Sequence, residues 1–85
     1  MELQGKNVFI TGSTRGSGKA VALACAKEGA NIALNGRSEI GSEQIAEIEA
    51  FGVKCIGVSG DIADFQAAGD MIEAVVEGLG SIDVL

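Results

Sequence analysis

The sequence predicts an α/β fold, a doubly wound parallel sheet laid down as βαβαβα with the start of a fourth strand. Three observations predict it. Short β-branched runs alternate with amphipathic stretches of about ten to fifteen residues, with no internal repeat or low-complexity linker. The connections are short and rich in glycine, and 13 glycines beside 47% hydrophobic residues suit strands buried on both faces. The first strand enters the first helix through Gly12, Gly16 and Gly18, spaced Gly-x-x-x-Gly-x-Gly. Such alternation imposes right-handed crossovers and a parallel sheet. Strands one and four are then central neighbours, and a ligand crevice opens at their C-terminal ends.

Residues 1–6 form a polar lead-in, and Val8, Phe9, Ile10 and Thr11 make a first buried strand. The first helix is expected from Lys19 to Glu28, stopped by Gly29 as its C′ residue. Residues 31–35 read as the second strand, closed by Gly36-Arg37-Ser38. A second helix is expected with Ser42 as N-cap, Ile45, Ile48 and Phe51 on its inner face, and Gly52 as its end. Residues 54–59 (KCIGVS) read as the third strand. Asp64 then caps a third helix whose apolar series is Ala68, Met71, Ile72, Val75, Val76 and Leu79. Gly80 closes it, and Ile82-Asp83-Val84-Leu85 begins a fourth strand.

Eighty-five residues make one small domain or part of a larger one, here the N-terminal part (1–85) of a single dinucleotide-binding domain. No apolar run is long enough to span a membrane. The net charge of −6 argues against nucleic acid as a partner. The charge is unevenly spread: residues 1–41 carry net +2 and residues 42–85 net −8. Positive field is thus concentrated around the glycine turn and the loop after the second strand, where a phosphorylated small molecule would sit. Cys25 and Cys55 lie far apart, and the chain has no histidine. They read as small buried side chains in a reducing cytoplasm, without a metal site.

A strand feeding a helix through glycines builds an anion site for a plain reason. The first helical turn has N–H groups with no partner inside the helix, and its dipole favours negative charge. Candidate cofactor-binding residues are therefore Gly12, Ser13, Thr14, Arg15, Gly16, Ser17 and Gly18, with hydroxyls of Ser13, Thr14 and Ser17 near the phosphates. Where an NAD-type site carries an acid after strand two, this chain has Asn35, Gly36 and Arg37. Arg37 can fork onto a 2′-phosphate and Arg15 can reach it from the other side, so NADP(H) is expected over NAD(H). Asp61, followed by Ile62, can accept from an adenine amino group or simply make an Asx turn. Gly18-Lys19-Ala20 lacks the ending of a P-loop. Without tyrosine or histidine, no catalytic residue is assigned.

At these residues the chain resembles the N-terminal part of a short-chain dehydrogenase/reductase. Residues 11–18 (TGSTRGSG) match that family's T-G-x-x-x-G-x-G turn, with Ser17 where Ile or Leu is usual. Asp61-Ile62 matches its acidic-aliphatic pair, and the chain from Ile82 resembles the strand leading to its N-N-A-G segment. GKNVFITGSTRG, EGANIALNGR and GDIADF are most similar to the 3-oxoacyl-[acyl-carrier-protein] reductases. The resemblance implies a Rossmann-like fold and an NADPH-dependent reduction of a 3-oxoacyl thioester to the 3-hydroxyacyl form. It also implies a carrier-protein-linked substrate and a cytoplasmic homo-oligomer. The family's Asn, Ser, Tyr and Lys catalytic groups would lie beyond Leu85, which makes the 85 residues alone an inactive fragment. Three alternatives stand beside that reading: a non-catalytic nucleotide-binding or interaction module, a dehydrogenase for another carbonyl or alcohol, and a fragment that does not fold stably.

Overall fold

Three parallel strands form one sheet, and the second in chain order lies between the first and the third. The computed structural model describes residues 3–84. It contains β1 (Asn7–Ile10), α1 (Gly16–Lys27), β2 (Asn31–Gly36), α2 (Ser42–Glu49), β3 (Cys55–Ser59) and α3 (Phe65–Leu79). On the free side of β1, Val8 makes an isolated parallel bridge to Val84, and the Phe9 N–H donates to the Val84 carbonyl at 2.9 Å. The expected neighbourhood of strands one and four is therefore present at Val84. Leu85 of that strand, like Met1 and Glu2 of the lead-in, lies outside the described residues.

Side chains alternate across the sheet, and each face has its own core. Val8, Ile32, Leu34 and Cys55 pack under α1 and α2, against Ala22, Ala26 and Ile48. Phe9, Ala33 and Val58 face the other way and pack against Met71 and Val75 of α3. The alanines of α1 let that helix lie close to the strands. α1 ends as expected: the Gly29 N–H donates to Ala26 and the Ala30 N–H to Cys25, a Schellman closure with Gly29 at φ 94°. The Asp64 carboxylate caps α3 by accepting from the N–H groups of Gln66 and Ala67. Among the described residues, no helix is long and apolar enough to cross a membrane.

Four expectations are corrected. α1 begins at Gly16, not Lys19, because left-handed Gly12 (φ 58°) and Gly16 (φ 65°) fold the chain directly from strand into helix. The cap of α2 is Gly41, not Ser42; the Gln44 side chain reaches back to accept the Gly41 N–H at 3.2 Å, leaving Ser42 exposed inside the helix. Phe51 is not on the inner face of α2, since the helix stops at Glu49 and Phe51 turns outward, 43% exposed. On α3 only Met71 and Val75 are buried, while Ile72 and Val76 stand at 39% and 43% exposure. The helix touches the three strands along a narrow stripe, so the flank of its apolar series has no neighbour among the described residues. Gly69 has open space around its Cα, and nothing in the structure explains it.

Both cysteines are free, Cys25 half-buried and Cys55 buried. Burial, helped by the negative charge of Glu49, pushes the Cys55 thiol up to about 12. A thiol in the unfolded chain ionises near about 8.5. Below that pH both states hold the proton; above it the unfolded chain releases a proton that the folded chain keeps. The contribution of Cys55 to stability is thus complete below pH ~8.5 and lost progressively toward 12. Urea midpoints at pH 7.5 and pH 10 check this: the stability gap between the protein and Cys55→Ala is expected to narrow at the higher pH.

Candidate functional site

Three turns meet at the C-terminal edge of the sheet: residues 11–15 after β1, 37–41 after β2 and 60–64 after β3. The end of β2 holds the first turn in place. The Asn35 N–H donates to the Ser13 hydroxyl at 2.8 Å, and the Ser13 N–H donates to the Asn35 carbonyl at 2.9 Å. Ser13 is 1% exposed, so its hydroxyl faces β2 and not the cleft where it was expected. It is held there because the N–H of Asn35 needs an acceptor where β1 has already ended. Thr14 offers its carbonyl to Gln44 Nε2 at 3.2 Å and lays its side chain over Gly36, where a Cβ would come within 2.9 Å of Thr14 Cγ2.

The N-terminus of α1 is left open. Arg15 is its N-cap with extended backbone (φ −161°, ψ 170°), offers no side-chain cap, and no acid lies in the first turn. The N–H groups of Gly16, Ser17 and Gly18 find no acceptor among the described residues. α3 differs, because Asp64 supplies it with its own anion. Gly12 and Gly16 carry nothing within 4 Å of where a Cβ would stand, so a ligand can approach their backbone. Gly18 is constrained instead: a Cβ there would lie 2.3 Å from the Gly12 carbonyl oxygen. Ser17 is exposed on the first turn. Lys19 points away toward α2, its Nζ 3.4 Å from Glu47.

Arg15 and Arg37 are both exposed and line one open cleft of about 690 Å³ with Gly12, Thr14 and Gly36. Neither guanidinium has a carboxylate within 4 Å among the described residues. Glu39 and Gln44 also line this cleft, and neither was singled out in the sequence. A second cleft, about 260 Å³, lies beside the first and shares Gly12, Gly36 and Arg37 with it; Asp61 and Ile62 form its far wall. Asp61 is exposed, and its Oδ1 accepts the Ala63 N–H at 2.9 Å, so the Asx turn exists. Its second oxygen has no partner among the described residues, which leaves it able to accept from a ligand.

Asn35 belongs to the site in a way its position at a strand end did not reveal. It is 3% exposed, and its side chain is fully engaged inside the protein. Oδ1 accepts the Gly12 N–H at 3.0 Å, while Nδ2 donates to the Val58 and Gly60 carbonyls at 3.2 and 3.3 Å and lies 3.1 Å from Met71 Sδ. The opposite edge of the sheet has a similar device: Asn31 donates to Asn7, and Asn7 to the Leu79 carbonyl and the Ser81 hydroxyl. No sequence signal separates such asparagines from ordinary turn residues.

The arrangement suits an elongated anion: N–H donors at a helix end, two guanidinium groups beside them and a carboxylate oxygen across the second cleft, all without partners among the described residues. Known proteins are similar to this chain over nearly its whole length. An L-rhamnose 1-dehydrogenase (NAD(P)(+)) of Sphingomonas sp. is 44% identical over 98% of this chain and 34% of its own length. A 3-oxoacyl-[acyl-carrier-protein] reductase of Staphylococcus aureus is 39% identical over 94% of this chain and 33% of its own. A solved short chain dehydrogenase from Mycobacterium thermoresistibile superposes with a TM-score of 0.83 at 36% identity, covering 95% of this chain and 32% of that one. The chain thus spans about a third of the length of these relatives. The family model for short chain dehydrogenases matches residues 6–85, the glycine turn and both clefts included, and the chain belongs to that family.

Proposed function

We propose that this chain is the NADP(H)-binding segment of a short-chain dehydrogenase. One observation carries the reading: Arg15 and Arg37 line the same cleft beside the open N-terminus of α1, and neither has a carboxylate partner among the described residues. The N–H groups of Gly16, Ser17 and Gly18 hold the pyrophosphate, and Gly12 gives it room. The two guanidinium groups hold the 2′-phosphate, and Asp61 and Ile62 flank the adenine. When bound, the nicotinamide supplies or takes up hydride; the residues of this chain bind and orient the adenosine end.

For the whole enzyme we propose reduction of a 3-oxoacyl thioester carried on acyl carrier protein, by a cytoplasmic homo-oligomer. The wording of the glycine turn and second strand supports this. A second reading, oxidation of a sugar at C1, is favoured by the 44% identity to an L-rhamnose 1-dehydrogenase. Both readings use the same adenosine-end site, but the L-rhamnose relative is named for NAD(P)(+), so the cofactor preference is a property of the NADP(H) reading and does not choose between the substrates. Heat-unfolding of the protein titrated with NADPH and NADH tests it. The expected outcome is a cooperative transition that rises with NADPH and much less with NADH, since ligand bound only to the folded state stabilises it by mass action. An equal rise with both would refute the NADP(H) preference.

A further inference from the structure

We infer that Asn35 is a positioning residue that sets the adenine wall of the cofactor site relative to the phosphate loop. The inference rests on the reading of the two clefts as an NADP(H) site. The buried Asn35 side chain, near the end of β2, bonds to two of the three turns that form this site, the one after β1 and the one after β3. Through Oδ1 it takes the Gly12 N–H, and so holds the turn that leads into the open end of α1. Through Nδ2 it gives hydrogen bonds to Val58 and Gly60, and so holds the turn that carries Asp61 and Ile62. The neighbouring main chain repeats the link, because the Gly60 N–H donates to the Gly36 carbonyl at 2.9 Å. Met71 of α3 closes the arrangement from below, its sulfur 3.1 Å from Nδ2.

The chemistry of the amide suits this task. It presents an acceptor in one direction and donors in the other, and the two turns offer opposite partners: the N–H of Gly12 on one side, the carbonyls of Val58 and Gly60 on the other. A hydroxyl is too short to span both. A carboxylate keeps the acceptor and loses the donors, placing negative charge against two carbonyl oxygens. That asymmetry separates the two links experimentally, and Asn35→Asp keeps the shape of the side chain while breaking only the link to the adenine wall.

The test compares two probes by calorimetric titration at pH 8: 2′,5′-ADP, which carries adenine, and ribose 2′,5′-bisphosphate, which does not. For Asn35→Asp the affinity for 2′,5′-ADP is expected to fall at least about tenfold, with the adenine-free probe changing less than about threefold. Equal losses for both probes would make Asn35 a general support of the fold and overturn the inference, as would no loss for either. Failure of the unmodified protein to bind either probe would overturn the proposed NADP(H) site itself, and the inference with it. If Asn35→Asp does not fold, hydrogen exchange in the unmodified protein decides. At equal saturation, 2′,5′-ADP is expected to slow exchange of the Gly12 amide several-fold more than the adenine-free probe; equal slowing overturns the inference.

Discussion

Gly18→Ala is expected to cost about 3 kcal/mol of stability and to remove measurable NADPH binding. A Cβ at this position would stand 2.3 Å from the Gly12 carbonyl oxygen, 2.9 Å from its carbon and 3.1 Å from Ser13 Cα. These are main-chain atoms, so no rotamer change relieves the contact. The turn must move off the helix, and overpacking that displaces backbone lies at the upper end of the usual ~1–3 kcal/mol. The same movement pulls Gly12 from Asn35 Oδ1 and Ser13 from β2, the two links that aim the turn. Gly12→Ala and Gly16→Ala serve as comparisons. Both sites have open space, so only their left-handed φ opposes a side chain, at about 1–2 kcal/mol. Urea unfolding ranks the three, and NADPH titration reads the site. A Gly18→Ala protein as stable as the Gly12→Ala one would show that the turn is not wedged against α1.

This difference between the three glycines was only partly legible in the sequence. Their spacing between a strand and a helix announced a glycine turn into a helix, because strand, turn and helix each leave a local signature in residue type and period. The alternation of apolar runs likewise announced the parallel sheet. What local signatures cannot carry is the partner of a polar side chain distant in sequence. Asn35 meets Gly12 and Gly60 across 23 and 25 residues, and Asn7 meets Ser81 across 74. Ser13 failed for the same reason: its hydroxyl reads as a phosphate ligand until β2 is seen beside it. At α2 the residue-type preference for Ser42 as cap loses to the Gln44 side chain, which accepts the Gly41 N–H three residues upstream and sets the cap there. Ile72 and Val76 show a further limit, since periodicity identifies an apolar helix face but not how much of it a three-stranded sheet can cover.

Arg37 is the residue whose change is expected to alter cofactor choice most. It lines both clefts, and its guanidinium faces solvent with no carboxylate within 4 Å among the described residues. A free guanidinium of this kind keeps its full hydrogen-bonding fork for a phosphate. In Arg37→Asp the fork is lost and a carboxylate stands in its place, in a cleft that already holds Glu39. A 2′-phosphate then meets two negative charges with only Arg15 to offset them. Hydrogen bonds to charged groups contribute about 1.5–3 kcal/mol each, so NADPH affinity should fall about 10- to 100-fold. NADH has a hydroxyl where NADPH has the phosphate. An acid after the second strand is the arrangement that accepts a ribose 2′-hydroxyl, so NADH affinity should stay within about threefold or improve. Dissociation constants for the two cofactors, measured at low and at moderate salt, check both halves. The NADPH loss should shrink as salt screens an exposed site, whereas the NADH value should hardly move. Equal weakening of the two cofactors would mean that Arg37 supports the loop after β2 and does not read the phosphate.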